Sequence, residues 1–311
     1  ELCSEEGLEI IEANAETVLQ EIGIDFKGDE EILKLWRDAG ADVDGERVRF
    51  PKGLVRSLLK TAPEIYVQHA RNPLRNVTFG GNNVIFAPVY GPPFVHDLDA
   101  GRRYGKMVDF ENFVRLAYMA PDLHHSGGTV CEPVDIPINK RHLDMVYAHM
   151  KLSDKPFMGA VTATERAADT LEMCNILFGP SFVAEHTVCT SLINVNSPLA
   201  FDEVMLGALK TYSRAGQAVI VSPFIMSGAM APVSPVGTLT QALAEATAGM
   251  ALTQLVRPGA PVVFGLFSTA ISMQSGAPSF GAPESNLVMS AAAQLARRLR
   301  LPFRSGGSFC A

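Results

Sequence analysis

From residue 109 onward the chain alternates between two hydrophobic periods, and this alternation limits the possible folds more than any single motif. Apolar residues three or four apart, the period of one helical face, predict helices over 109–119, 139–152, 165–178, 201–214, 238–256 and 284–300. Short β-prone runs between them predict strands over 124–130, 156–162, 187–194, 218–226, 261–268 and 302–305. The runs Ala218 to Val221 and Pro261 to Phe264 are apolar at every position, as strands buried on both faces must be. Gly216 and Gly259 stand between helix and strand, where a helix-ending glycine belongs. Six strands, each separated from the next by a helix, specify a parallel α/β fold.

Residues 1–108 read differently, as a mixed α+β section. Leu8, Ile11, Ala15, Val18 and Ile22 predict a helix capped by Ser4 and ended by Gly23. A second helix is predicted over 29–39 and a short third over 51–59, with a hairpin signal at Asp44-Gly45 between them. Strands are predicted over 65–69, 77–79 and 84–86. Another is expected over 94–104, turning at Asp99-Ala100-Gly101. The expected organisation is this section followed by an α/β domain over 109–311.

Two parallel architectures compete for that domain. A doubly wound sheet that binds nucleotides carries a glycine fingerprint at its first βα turn. Ser126-Gly127-Gly128 lacks the spacing, and no acidic residue follows at the required distance. A (β/α)8 TIM barrel is therefore preferred. A complete barrel takes ~250 residues, and roughly two hundred remain after residue 108. The chain opens on Glu1 rather than Met and ends soon after the sixth strand. The expectation is a longer protein, with about six of the eight βα units present here.

Composition excludes other classes. Lys plus Arg number 26 against 33 Asp plus Glu, a net charge of −7, and no basic stripe stands out. Nucleic acid is thus not an expected partner. The most apolar stretch, 218–230, is broken by Ser222, Pro223, Ser227 and Gly228 and falls short of the ~20 residues of a membrane span. Five cysteines without paired spacing (Cys3, Cys131, Cys174, Cys189 and Cys310) read as reduced thiols of a cytoplasmic protein. Cys174 and Cys189 lie among apolar residues, as core thiols do.

In a barrel the reactive groups come from the carboxyl ends of the strands. Those ends carry amides, hydroxyls, Phe, Met and Gly, but after the first strand no Lys, Asp or His. Proton chemistry has little to work with there. His124-His125 with Cys131 and Glu132 are the candidates for a metal site. Adjacent residues of a strand point to opposite faces, however, so both histidines cannot hold one ion from an extended segment. One buried, hydrogen-bonded histidine and one packed under a helix are expected, with no metal. Gly306-Gly307 is a weak phosphate-loop signal without a Walker pattern. Arg304, at the mouth of an apolar strand, needs an anion: a structural salt-bridge partner or a substrate carboxylate.

Four stretches resemble one family: FIMSGAMAPVSPVG at 224–237, SMQSGAPSFGAPE at 272–284, PFRSGG at 302–307 and NVNSP at 194–198. They are similar to the trimethylamine methyltransferase superfamily, the corrinoid-dependent amine methyltransferases. The resemblance implies a (β/α)8 barrel that moves a methyl group from an amine to the cobalt of a corrinoid carried by a separate protein. Trimethylamine enzymes of the family contain pyrrolysine, and no unusual residue occurs in these 311 positions. The quaternary-amine branch, with glycine betaine as the type substrate, is the better match. Pyrrolysine beyond Ala311 and a non-catalytic betaine-binding paralogue are the alternatives, and a metal-dependent hydrolase built on His124 or His125 and Glu132 is the reading from another class.

A quaternary ammonium leaves as a neutral amine, so it needs no general acid, and the cofactor performs the hard step. Its head offers no hydrogen-bond donor and is recognised by aromatic faces, each worth ~0.5–2 kcal/mol. Tyr90, Phe224, Phe264 and Phe267 are the candidates. Arg304 would receive a betaine carboxylate, assisted by Asn194 and Asn196. Glu284, which closes the second family stretch, completes the expected substrate-binding set. The apolar faces of the amino-terminal helices are the expected contact of a homo-oligomer.

Overall fold

The computed structural model describes residues 2–306; Gly307 and Cys310 lie outside them. The amino-terminal section opens with α1 (Glu5–Thr17), whose N-cap Ser4 accepts the Gly7 amide at 3.2 Å and so satisfies a donor that the first turn leaves free. A π turn (Val18–Ile22) prolongs it to Gly23. There follow β1 (Ile24–Phe26), α2 (Glu30–Asp38), the antiparallel pair β2 (Asp42–Asp44) and β3 (Arg47–Arg49), and α3 (Leu54–Leu59). Two more hairpins pair β4 (Tyr66–Gln68) with β5 (Val77–Phe79) and β6 (Phe94–Asp97) with β7 (Gly101–Tyr104). The strand expected over 84–86 does not form. That segment runs beside 124–125 on isolated bonds instead: the Phe86 amide donates to His124 Nδ1 at 3.0 Å, and the His124 amide donates back to the Phe86 carbonyl at 2.9 Å.

The alternating section contains α4 (Met107–Met119), α5 (Ile138–Leu152), β8 (Phe157–Met158), α6 (Thr164–Phe178), α7 (Pro180–Glu185), β9 (Cys189–Val195) and β10 (Ala200–Phe201). It continues with α8 (Glu203–Arg214), β11 (Ala218–Ser227), α9 (Pro235–Val256), β12 (Val262–Ile271), β13 (Pro278–Ser279), α10 (Pro283–Leu299) and β14 (Phe303–Ser305). The strand expected over 124–130 shrinks to two ladder bonds, Ser126 N–H to the Pro156 carbonyl and Met158 N–H to the Gly127 carbonyl, each 2.8 Å. Gly127 adopts φ +87°, a left-handed conformation open to glycine, and turns the chain out of the sheet. The short α7 and β10 are additions to the expected series. Phe201, expected to start a helix, instead joins Ala200 in a parallel pairing with β1 that extends the amino-terminal sheet.

The parallel strands lie in the order β8–β9–β11–β12–β14, each beside its neighbour in sequence, with β13 folded antiparallel onto the end of β12. A doubly wound sheet reverses its strand order and carries helices on both faces; this sheet does neither. One face packs on helices through a buried cluster that includes Val219, Val221, Phe264, Leu209 and Leu243. The opposite face gathers Met158, Leu192, Ala218, Ile220 and Val263 beneath Tyr66, Phe79 and Tyr90, with no helical residue among them. The result is a curled parallel sheet with helices outside and a concave inner face.

The helix-side core is continuous with the amino-terminal section, because Leu8, Ile11, Ala15 and Trp36 belong to the same cluster as Leu239 and Leu295. The apolar face of α1 that was expected to meet a second copy is buried within the chain. Phe26, Trp36, Phe50 and Phe201 interlock there, each no more than 2% exposed, and each such side chain contributes on the order of 1.5–3 kcal/mol. Among the described residues no helix is long and apolar enough to cross a membrane.

Candidate functional site

The inner face rises from an apolar floor to a polar middle and an aromatic mouth. Alternation along β11 and β12 puts Ile220, Ser222 and Phe224, and Val263, Gly265 and Phe267, on the concave side. Arg304 lies beside Gly265 in register. A Cβ on Gly265 would stand 2.7 Å from Ser222 Cβ and 2.8 Å from Ile220 Cγ2, so glycine is what lets these strands pack at this level.

Arg304 faces a cavity of about 300 Å³ bordered by Ile85, His125, Met158, Thr190 and Ile220. Its guanidinium carbon lies 5.9 Å from the centroid of the Tyr90 ring. Among the described residues no carboxylate pairs with it, and burial pulls its pKa below the ordinary arginine value, opposed by Tyr90. Burial raises the Tyr90 phenol, while a hydrogen bond to Thr129 and the nearby Arg304 act the other way. Tyr90 lies against Gly128, where a Cβ would come within 2.7 Å of the ring. It also borders a second cavity of about 100 Å³ between the end of β8 and α5, beside Glu132, Arg141, Thr162 and Arg166.

Two buried histidines hold the wall of this region. Gly127 N–H donates to His125 Nδ1 at 2.9 Å, so Nε2 carries the proton toward Gln68 Oε1, 3.2 Å away. Gln68 in turn accepts from Thr190 Oγ1 at 2.7 Å. His149 Nε2 donates to the Gly128 carbonyl and Nδ1 accepts from Ser126 Oγ, both at 2.7 Å. Burial drives His125 down to about 3 and His149 to about 4. Both are neutral near pH 7 and engaged at both nitrogens, which suits them to shape the wall rather than to carry protons. His149 was not singled out from sequence, and His125 only as a metal candidate; apart from Gly127, the partners that engage them lie 21 to 57 residues away along the chain.

The structure brings together only part of the expected set. Phe224 and Phe267 face each other across β11 and β12 with ring centroids 5.1 Å apart, and Phe280 lies 6.0 Å from Phe267. Asn194 is level with Ser222 and exposed at the same mouth. Phe264 is 0% exposed on the helix side of β12, its ring 5.6 Å from Phe303; an odd step along the strand from Phe267 turns it away from the cavity. Asn196 is bound to Asp202 through both ends of its amide, each bond 2.9 Å, and braces a turn. Glu284 is exposed in the first turn of α10.

The metal candidates disperse. His124 is exposed and stacks on Phe86 rather than under a helix, and Glu132 pairs with Arg141 at 2.5 Å. Burial pushes the Cys131 thiol up to about 12. Among the described residues no group of three or more His, Cys, Asp or Glu side chains stands close enough to hold a metal ion.

Fold and site define a parallel α/β protein with a cavity against the concave face of a curled sheet, into which Arg304 projects with no carboxylate partner among the described residues. The chain belongs to the trimethylamine methyltransferase (MTTB) family, whose profile matches residues 1–311. It is 46% identical over 307 residues to a glycine betaine methyltransferase of Desulfitobacterium hafniense (strain Y51), covering 98% of this chain and 64% of that protein. It is 28% identical over 317 residues to a proline betaine:corrinoid methyltransferase of Eubacterium limosum, covering 96% and 63%. The chain thus spans a little under two thirds of the length of these relatives. In fold it is similar to the monomethylamine methyltransferase MtmB of Methanosarcina barkeri, with a TM-score of 0.60 at 12% identity over 98% of this chain and 68% of that one.

Proposed function

We propose that this chain takes part in moving a methyl group from glycine betaine, or a similar betaine, to the Co(I) of a corrinoid carried by a separate protein. We also propose that its curled sheet is the larger part of a (β/α)8 barrel. Identity supports the choice of substrate class: 46% to the glycine betaine methyltransferase against 26% to a trimethylamine methyltransferase of Desulfitobacterium hafniense.

The observation that carries the reading is Arg304, a cation aimed into a cavity and lacking an acid partner among the described residues. A guanidinium in that position takes a carboxylate through charge-assisted hydrogen bonds, which a betaine has and trimethylamine lacks. Above it, Phe224 and Phe267 offer ring surface to a trimethylammonium group. The Tyr90 ring lies 5.9 Å from the Arg304 guanidinium carbon, and Asn194 supplies an amide at the end of β9.

The site fits the chemistry that the family implies. The methyl–nitrogen bond breaks with both electrons staying on nitrogen, so the departing amine is neutral and requires no proton. His125 and His149, held neutral by burial, are then sufficient as wall groups. The corrinoid, when its carrier docks, supplies the nucleophilic metal. This chain's work is to bind, orient and desolvate the donor, and alignment of that kind contributes ~7–11 kcal/mol in favourable systems.

The test mixes full-length protein, a Co(I) corrinoid protein and glycine betaine, and follows dimethylglycine by mass spectrometry. Dimethylglycine should appear from glycine betaine, and trimethylamine in its place should yield no dimethylamine. If no betaine is demethylated, the catalytic reading fails. Betaine binding by calorimetry without demethylation would identify a binding paralogue.

A further inference from the structure

Glu245 is 0% exposed in the middle of α9, and among the described residues no cation pairs with it. Its carboxylate is nevertheless fully used. Oε2 accepts from Ser197 Oγ at 2.5 Å, while Oε1 accepts from the Leu199 amide and from Gln241 Nε2, both at 2.8 Å. Gln241, one turn earlier on the same helix, also donates to the Met230 carbonyl at 3.0 Å. Ser197 and Leu199 belong to the loop after β9, and Met230 to the loop after β11. These are adjacent strands of the sheet.

An acid buried without a counter-ion is a costly way to fill a helix core, since a hydrocarbon would pack there at less expense in desolvation. What it supplies is a fixed span between two strand-end loops. One loop follows the strand that ends just past Asn194, and the other extends the strand that carries Phe224, neighbours at the same end of the sheet. The first loop is also joined to the amino-terminal sheet, through the Asp25 amide donating to the Leu199 carbonyl at 2.9 Å.

We propose that Glu245, acting with Gln241, is a positioning residue that clamps the loops after β9 and β11 together and thereby sets where Asn194 and Phe224 meet the substrate. This rests on the betaine reading above. Glutamine at 245 keeps an acceptor for Leu199 and Gln241, and its amide can donate to Ser197 Oγ. Alanine removes all three bonds. Methionine at 241 removes the Gln241 bonds to Glu245 and to Met230 and leaves the acid its bonds to Ser197 and Leu199.

The experiment compares Glu245→Gln, Glu245→Ala and Gln241→Met in the full-length protein, reading KM and kcat for glycine betaine, Tm, and amide exchange at Leu199. Small displacements of binding groups cost up to ~100-fold. On that scale Glu245→Gln stays within about threefold of wild type, and Glu245→Ala raises KM about 30-fold. Gln241→Met raises it about fivefold, with kcat changed less than KM in each. A merely structural role lowers Tm and leaves KM in place, and that result would overturn the proposal. If Glu245→Ala does not fold, Gln241→Met decides on the same criterion. Wild-type protein that turns over no betaine counts against the betaine reading. The clamp is then read by exchange at Leu199, which must quicken in Glu245→Ala, or in Gln241→Met where the alanine variant does not fold, and stay protected in Glu245→Gln. Unchanged exchange refutes it.

Discussion

Replacing His149 by Phe tests the account of the inner wall quantitatively. The ring volume is nearly kept, and Phe110 and Phe157 already lie 5.3 and 6.5 Å from the imidazole centroid. The substitution therefore removes two hydrogen bonds without opening a large void. It leaves the buried Ser126 hydroxyl without that partner, while the buried Gly128 carbonyl loses one bond and keeps the Val130 amide at 2.9 Å. At about 1–3 kcal/mol for the orphaned hydroxyl and about 0.5–1.5 kcal/mol for the bond lost at the carbonyl, the variant should be roughly 1.5–4.5 kcal/mol less stable at pH 7.5.

The pH dependence of that loss is the sharper prediction. Burial lowers the folded pKa of His149 from 6.5 to about 4. Between those values the unfolded chain binds a proton that the native chain does not, so wild-type stability falls as pH falls, by about 1.4 kcal/mol per unit for this one group. The variant has no such group. Its deficit should therefore shrink by roughly 2 kcal/mol between pH 7.5 and pH 5. His125 and the carboxylates contribute to both proteins and largely cancel in the difference. Urea titrations followed by Trp36, the only tryptophan and 0% exposed, together with far-ultraviolet circular dichroism, give both curves. A deficit that stays constant from pH 7.5 to 5 would refute the claim that His149 is buried and neutral.

Three further outcomes follow from named contacts. Arg304→Gln should weaken glycine betaine binding by about 100-fold, roughly the worth of one or two charge-assisted hydrogen bonds. Choline, which has no carboxylate, should change little by calorimetry, and equal losses for both ligands would remove Arg304 from carboxylate recognition. Gly265→Ala should destabilise by about 1–3 kcal/mol through overpacking against Ser222 and Ile220, and a neutral result in urea would show that the inner face is looser than described. Gln217→Leu should cost more than about 3 kcal/mol, because the Gln217 side chain accepts from the Val188 and Cys189 amides and donates to the Val183, His186 and Ala215 carbonyls; a loss below 1 kcal/mol would mean that water takes over these groups.

Elements with local causes were legible in the sequence. Ser4 and Asp29 cap α1 and α2, and Asp44-Gly45 turns the β2–β3 hairpin. The alternation of periods after residue 109 announces parallel strands with helical crossovers, since each period reports only neighbours along the chain. Arg304 was conspicuous as a charge in an apolar strand, because desolvation of an ion is costly in any fold.

The tertiary structure decided which side chains share a space. β12 is apolar on both faces, so no alternation in its sequence distinguishes Phe267, on the concave side beside Phe224, from Phe264, which faces the helices; the register with β11 and β14 separates them. Asn196 has the composition of a ligand group until Asp202 occupies it. The strand expected over 124–130 gives way because Gly127 turns and His125 takes its amide, a choice stabilised by Gln68, 57 residues away. Pattern along a chain records how often a residue meets the core. It does not record which distant group satisfies a particular polar atom, and that pairing builds the wall, the mouth and the clamp of this site.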